Sequence, residues 1–271
     1  MRTLLLTLSA ATCLVQAQAQ SGRKVYRIDP QLDVPVIAAS SMALYTGCMR
    51  QAVKSPLTTL DIDRMSTLRI PGFDRVALRV DPTRQAQAQS ISDNVRNVTI
   101  VAPLLLVLDR NVRKEWGGVL TLYVEQATVT AGLQAWSCTL AGRYRPIAYI
   151  PGATFEQRTD ARNYNSFYSG HTASTASAAF FMAKVLDDMH PELGGKRWWL
   201  YAAATVPTAV VGYYRVEAGK HFPSDVITGA LIGAATGWLV PELHKTVGGR
   251  NITLMPIASK GTLGVHVGVW L

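Results

Sequence analysis

The chain is poor in the two residue types that most often hold metals, with three cysteines and five histidines in 271 residues. Cys13 falls in an apolar leader, so Cys48 and Cys138 permit at most one internal disulfide, and a disulfide-built fold is excluded. No pair of His, Cys or Asp residues stands at zinc-like spacing, so no metal site is expected. The sequence also lacks a Gly-rich phosphate loop, a nucleic-acid motif and any basic-aromatic repeat, so nothing argues for DNA or RNA partners. Internal repeats and long low-complexity linkers are missing too. Gln85-Ala86-Gln87-Ala88-Gln89-Ser90 is a short polar stretch, a loop or a helix start.

What is present begins with a leader. Met1-Arg2 gives a positive start, Leu4 to Val15 an apolar core and Ala17-Gln18-Ala19 a small-residue cleavage pattern, the features of a secretory signal peptide over residues 1–19. The protein is therefore expected to be exported to the periplasm or cell envelope, with residues 20–271 forming one domain. A net charge of +9 suits anionic substrates or an anionic membrane face.

Hydrophobic periodicity predicts a mostly helical chain: Val34–Met49, Ser92–Leu108 with Asp93 as a first-turn acid, Trp116–Leu140, Ser169–Met189, Lys196–Tyr214 and Pro223–Lys245. The tail alternates at Leu263, Val265, Val267 and Val269 and, with Ile252 to Ile257, reads as a hairpin. Trp198–Tyr214 and Val226–Pro241 are uncharged and near the lower length limit for crossing a bilayer. Aromatic pairs at both ends of the first suggest an interfacial belt, and membrane association is expected.

Three short clusters carry the chemistry: Arg145-Pro146, Ser169-Gly170-His171, and Arg215 with His221 and Asp225 behind it. Two arginines present planar forks of donors that match phosphate oxygens and stay charged at any working pH. One imidazole can attack phosphorus while another protonates the leaving oxygen, with a carboxylate to hold the attacking ring. Ser169 and Gly170 precede a run of small residues, which places them at a helix N-terminus suited to an anion. His190, His244 beside Lys245, and His266 read as a loop histidine, a solvated helix end and part of a strand.

These clusters resemble the motifs of the type 2 phosphatidic acid phosphatase superfamily, which includes vanadium haloperoxidases and bacterial acid phosphatases. Its pattern is Lys, six residues, Arg-Pro; then Pro-Ser-Gly-His; then Ser-Arg, five residues, His, three residues, Asp. Here the second motif reads Tyr168-Ser169-Gly170-His171 and the third Tyr214-Arg215, Val216 to Lys220, His221, Phe222-Pro223-Ser224, Asp225. The first keeps Arg145-Pro146, but its lysine position holds Cys138, a thiol without positive charge near its usual pKa. Another basic residue, such as Arg143, could fill the role.

The resemblance implies an all-α PAP2-type helical bundle, here with a small C-terminal β-hairpin, and a motif core over 138–225. By position, His221 would be the nucleophile, Asp225 its orienting partner and His171 the general acid. Arg145, Arg215, Ser169 and Gly170 would bind phosphate, and no cofactor is called for. Cys138, at a site position, would be a free thiol like Cys48. The implied reaction is hydrolysis of a phosphomonoester or diphosphate, best a lipid-linked one, through a phosphohistidine. The alternatives are a vanadate-dependent haloperoxidase and a non-catalytic lipid-binding relative that lost the lysine.

Overall fold

A computed structural model describes residues 24–65 and 70–246, and the backbone alone of 251–259 and 262–270. The signal peptide expected over residues 1–19 lies outside the described residues. The chain divides into two units, Ile28–His244 and a smaller one made from the two ends of the chain. In the smaller unit, Thr246 N donates to the Val25 carbonyl at 2.9 Å. Its strands β1 (Asn251–Ser259) and β2 (Thr262–Trp270) pair antiparallel, with Asn251 opposite Trp270.

The larger unit is all helical among its described residues, with six long helices: α1 (Pro30–Ala52), α2 (Gln85–Val101), α3 (Trp116–Ala141), α4 (Gly170–Met189), α5 (Trp198–Glu217) and α6 (Pro223–Leu243). Local chemistry sets several of the boundaries. Asp29 caps α1 by accepting from Gln31 N at 3.0 Å, with Pro30 in the first turn. The polar stretch from Gln85 is the start of α2, so Asp93 sits in mid-helix and not in a first turn. That helix tightens into a 3-10 segment over Ala102–Leu108, where Pro103 has no N–H to continue the α ladder.

Helix α4 lies at the centre and packs against α2, α3, α5 and α6. Its run of small side chains lets α6 come close. Gly229, Gly233 and Gly237 of α6 lie on the backbone of Ser169, Ala173 and Ser177, so that a Cβ at any of the three would run into a carbonyl oxygen. The pair α1 and α3 repeats the device, with Gly132 against the Ser40 carbonyl and Gly47 against Ala135. Because α4 and α6 both begin at the same end, Ser169 N donates to the Asp225 carbonyl at 3.0 Å. This contact brings the second and third clusters together.

The outside of the bundle is apolar. Among the described residues, three segments are long and apolar enough to cross a membrane: α1, α2 with its 3-10 extension (Pro82–Leu108), and α6. The helix from Trp198, expected to be one of them, is not; the polar-tipped rings of Trp198, Trp199, Tyr201, Tyr213 and Tyr214 dilute its apolar content. Val98, Leu105 and Leu108 on the second segment, and Met42 and Tyr45 on α1, are exposed. Such surfaces are costly in water and favourable in lipid, which supports membrane association.

Candidate active site

Each cluster is aimed by a local turn. After α3, Gly142 adopts φ +55°, a left-handed conformation that a side chain would resist, and the chain turns into Arg143-Tyr144-Arg145. Arg145 N then donates to the Asn163 carbonyl at 2.8 Å, and Pro146 opens a short 3-10 turn. Ser169 is the N-cap of α4. At the end of α5, Gly219 takes φ +61° and the backbone N–H groups of Lys220 and His221 fold back onto the Arg215 carbonyl at 3.1 and 3.3 Å.

The result is a cavity of about 480 Å³ whose lining includes Arg145, Gly170, His171, Arg215 and His221. The structure thus brings the predicted residues of all three clusters to one place. Ser169, fully buried, lies beneath Gly170 with its hydroxyl 2.9 Å from that of Thr172. The Arg145 Nε and the Arg215 Nε and Nη1 are buried without a hydrogen-bond partner. Buried donors of this kind are rare in folded proteins and fit an anion.

His221 is buried, and its Nδ1 lies 2.7 Å from the Ser166 carbonyl. That geometry puts the proton on Nδ1 and leaves the Nε2 lone pair for the cavity. Burial, and then the charges of Arg215 and Arg145, hold this imidazole well below the ordinary histidine range, which favours its neutral form. Behind it, burial and the same arginines push Lys220 down to about 8.

Asp225 does not reach the ring in the way the spacing suggests. Its Oδ2 is 4.0 Å from His221 Nδ1 and accepts instead from Ser166 Oγ at 2.6 Å and Phe222 N at 2.9 Å. The carboxylate therefore orients His221 through Ser166 and through the first turn of α6. Arg143 is also committed elsewhere: its two Nη atoms bind Asp225 at 2.5 Å and Asp74 at 2.7 Å. It does not stand in for the missing lysine. Asp74 in turn accepts from the backbone and the hydroxyl of Ser224, locking the start of α6.

The lysine position is filled differently. Cys138 is buried and free, its Sγ accepting from Gln134 Nε2 at 3.0 Å, while Cys48 is an exposed free thiol. Lys54 Nζ lies 3.4 Å from the Cys138 carbonyl and 3.0 Å from Oδ1 of Asn165, a residue of the cavity wall. Arg96 and Arg162 line the cavity as well, bringing its arginines to four.

Two residues of α2 complete the site and have no signal in the motifs. His171 Nε2 lies 2.8 Å from Asp93 Oδ1 and 3.1 Å from Arg96 Nη1. A protonated ring nitrogen can donate to the aspartate, and a deprotonated one can accept from the arginine, so both states of the ring have a partner. Asp93 also lies 3.6 Å from Arg215 Nη1. Helix periodicity could have placed Asp93 and Arg96 on one face, one turn apart, but not named the face.

His190 lies outside the site, within 2.6 Å of Glu192 and 3.0 Å of Asp109. His266 is on a strand whose side chains are outside the described residues.

The chain is 25% identical over 186 residues to the lipid A 1-phosphatase of Porphyromonas gingivalis, a match covering 65% of this chain and 37% of that protein. It is 25% identical over 158 residues to phosphatidylglycerophosphatase B of Bacillus subtilis, covering 55% of this chain and 70% of the relative. The chain thus spans little more than a third of the length of the first of these relatives. Among solved structures, a transmembrane PAP2-type phosphatidylglycerolphosphate phosphatase from Bacillus subtilis aligns with a TM-score of 0.44 at 20% identity, over 75% of this chain and 94% of that one. The family model of the PAP2 superfamily matches residues 120–248, the stretch that holds the three clusters and the helices that aim them. Over this stretch, a little under half of its length, the chain is similar to the PAP2 superfamily.

Proposed function

We propose that this protein is an exported phosphatase that hydrolyses a lipid-linked phosphomonoester or diphosphate through a phosphohistidine. In this reading residues 20–271 form one phosphatase domain, with the strand pair as its C-terminal hairpin. The observation that carries it is the convergence of His221, His171, Arg145 and Arg215 on one cavity, with arginine donors buried and unpartnered. Arg145 and Arg215 would bind the phosphate oxygens with the backbone of Gly170 at the positive end of α4. His221 Nε2 attacks phosphorus as the bond to the leaving oxygen breaks, and His171 gives that oxygen its proton. His171 then takes a proton from water, whose oxygen attacks phosphorus, breaks the P–N bond and restores neutral His221. The Ser166 carbonyl and the Asp225 carboxylate behind it stabilise the imidazolium formed in between.

A lipid substrate fits because the cavity also carries an apolar wall of Ile100, Tyr123, Ala127 and Ala131. Two relatives are a lipid A 1-phosphatase and a phosphatidylglycerophosphatase by name. The test is phosphate release by the detergent-purified protein from isoprenyl diphosphates, phosphatidyl phosphates, lipid A and soluble monoesters. Release from at least one lipid, faster than from the soluble esters, is expected. Bromide oxidation with added vanadate, run beside it, is expected to stay at background; the opposite pattern would establish a haloperoxidase. No turnover in either assay would leave the non-catalytic lipid-binding relative.

The substituted lysine gives a second expectation. Cys138→Lys should tighten orthovanadate inhibition about tenfold, equivalent to about 1.4 kcal/mol, because a charge in a partly dry site is worth more than one in water. Lys54→Met, which removes the ammonium beside Asn165, should loosen it. Unchanged inhibition in both folded variants would mean that Arg96 and Arg162 already carry the charge.

A further inference from the structure

At the end of α6 remote from the phosphate site, three side chains from three helices meet. His244 directly follows α6, Asp33 lies in the first turn of α1, and Glu125 belongs to α3. The length of α6 puts this cluster about 30 Å from His221. His244 Nε2 is 2.9 Å from Asp33 Oδ1 and 3.8 Å from Glu125 Oε2. One ligand atom from each residue lies within 4.8 Å of the other two. The sequence reading of His244 as a solvated helix end is therefore corrected: its side chain is only 16% exposed.

Two details point to a ligand beyond an ion pair. First, Glu125 is 6% exposed and its Oε2, directed at the cluster, has no hydrogen-bond partner. A buried, unpartnered carboxylate oxygen is costly. Second, His244 Nδ1 lies 2.7 Å from the Val240 carbonyl, which fixes the proton on Nδ1 and turns the Nε2 lone pair toward two carboxylates. This is how a metal-binding histidine is held, with its second ring nitrogen donating to a backbone carbonyl. Asp33 is steadied in the same way, its Oδ2 accepting from Asp29 N at 2.8 Å.

An imidazolium would neutralise only one of the two buried carboxylates, whereas a divalent cation with a neutral imidazole balances the set. Metal–ligand bonds of about 2.0–2.2 Å in tetrahedral geometry put ligand atoms roughly 3.3 Å apart. The 2.9 and 3.8 Å separations bracket that value. Imidazole with carboxylates suits a transition metal better than calcium or magnesium.

We propose that Asp33, Glu125 and His244 bind one divalent transition-metal ion of the zinc class, which clamps α1 onto α3 and α6. Spacing along the chain gives no expectation of a metal site, but that argument reaches only local ligand sets, and these three residues come from distant segments.

The test uses the full chain in detergent, stripped with chelator and dialysed against Zn²⁺. One zinc per chain is expected, with affinity falling at least tenfold in Glu125→Gln and in His244→Gln and unchanged in His221→Ala. Zn²⁺ should raise the thermal midpoint of the parent, and Mg²⁺ should not. Because either variant could misfold, Co²⁺ is added to the unmutated chain, where visible d–d absorption of a low-coordinate site is expected. A folded parent that retains no zinc and shows no shift in midpoint would overturn the proposal. So would zinc whose loss follows His221→Ala.

Discussion

His221→Ala is expected to abolish phosphate release, with a loss on the order of 10⁶, the scale seen when a catalytic nucleophile is removed. His171→Ala should lose less, about 10²–10⁴-fold, and least on substrates whose leaving oxygen is already stable. The difference follows from the two environments. His221 is buried, its Nδ1 proton is held by Ser166, and the neighbouring arginines favour its neutral form. No other described histidine lines the cavity except His171, which is engaged by Asp93 and Arg96 on α2. Rates would be measured on an aryl phosphate and on a lipid phosphate, with folding checked by circular dichroism. Near-normal turnover by both variants on both substrates would show that the cavity is not where phosphate is transferred.

Gly233→Leu should be the most damaging substitution far from the cavity. A Cβ at this position meets the Ala173 backbone carbonyl, which cannot rotate away as a side chain would. Overpacking of this kind costs about 1–3 kcal/mol, here at the upper end because backbone must move, and the thermal midpoint should drop by ~5–10 °C. Activity should fall as well, because α4 and α6 carry Ser169, Gly170 and His171 at one start and Asp225 at the other. Gly195→Leu is the control, since nothing lies within 4 Å of a Cβ there. If Gly233→Leu keeps both midpoint and rate, the helices tolerate separation and the close approach does not position the site.

The sequence by itself determined the three clusters and the helices that bear them. Arg145, Ser169, Gly170, His171, Arg215 and His221 could be picked out because each stands in a short cluster where residue type and spacing have a local meaning. The same holds for the helix beginning at Gly170, announced by its N-cap serine and its small residues, and for the one beginning at Pro223. Failures began where a contact depends on two distant segments. Asp93 reads as a first-turn acid, yet tertiary packing puts it against His171. Asp225 has the right spacing to touch His221, but Ser166 was interposed and the carboxylate was turned toward Arg143. Arg143, one residue pair from Arg145, was drawn to Asp74 and Asp225 because two buried carboxylates need a cation. His244 looked solvated until α1 and α3 brought Asp33 and Glu125 to it. Local sequence fixes which groups are present and which backbone turns aim them; which charges meet is decided by helix packing, because hydrogen bonds and ion pairs depend on separations of a few ångströms that chain spacing does not encode.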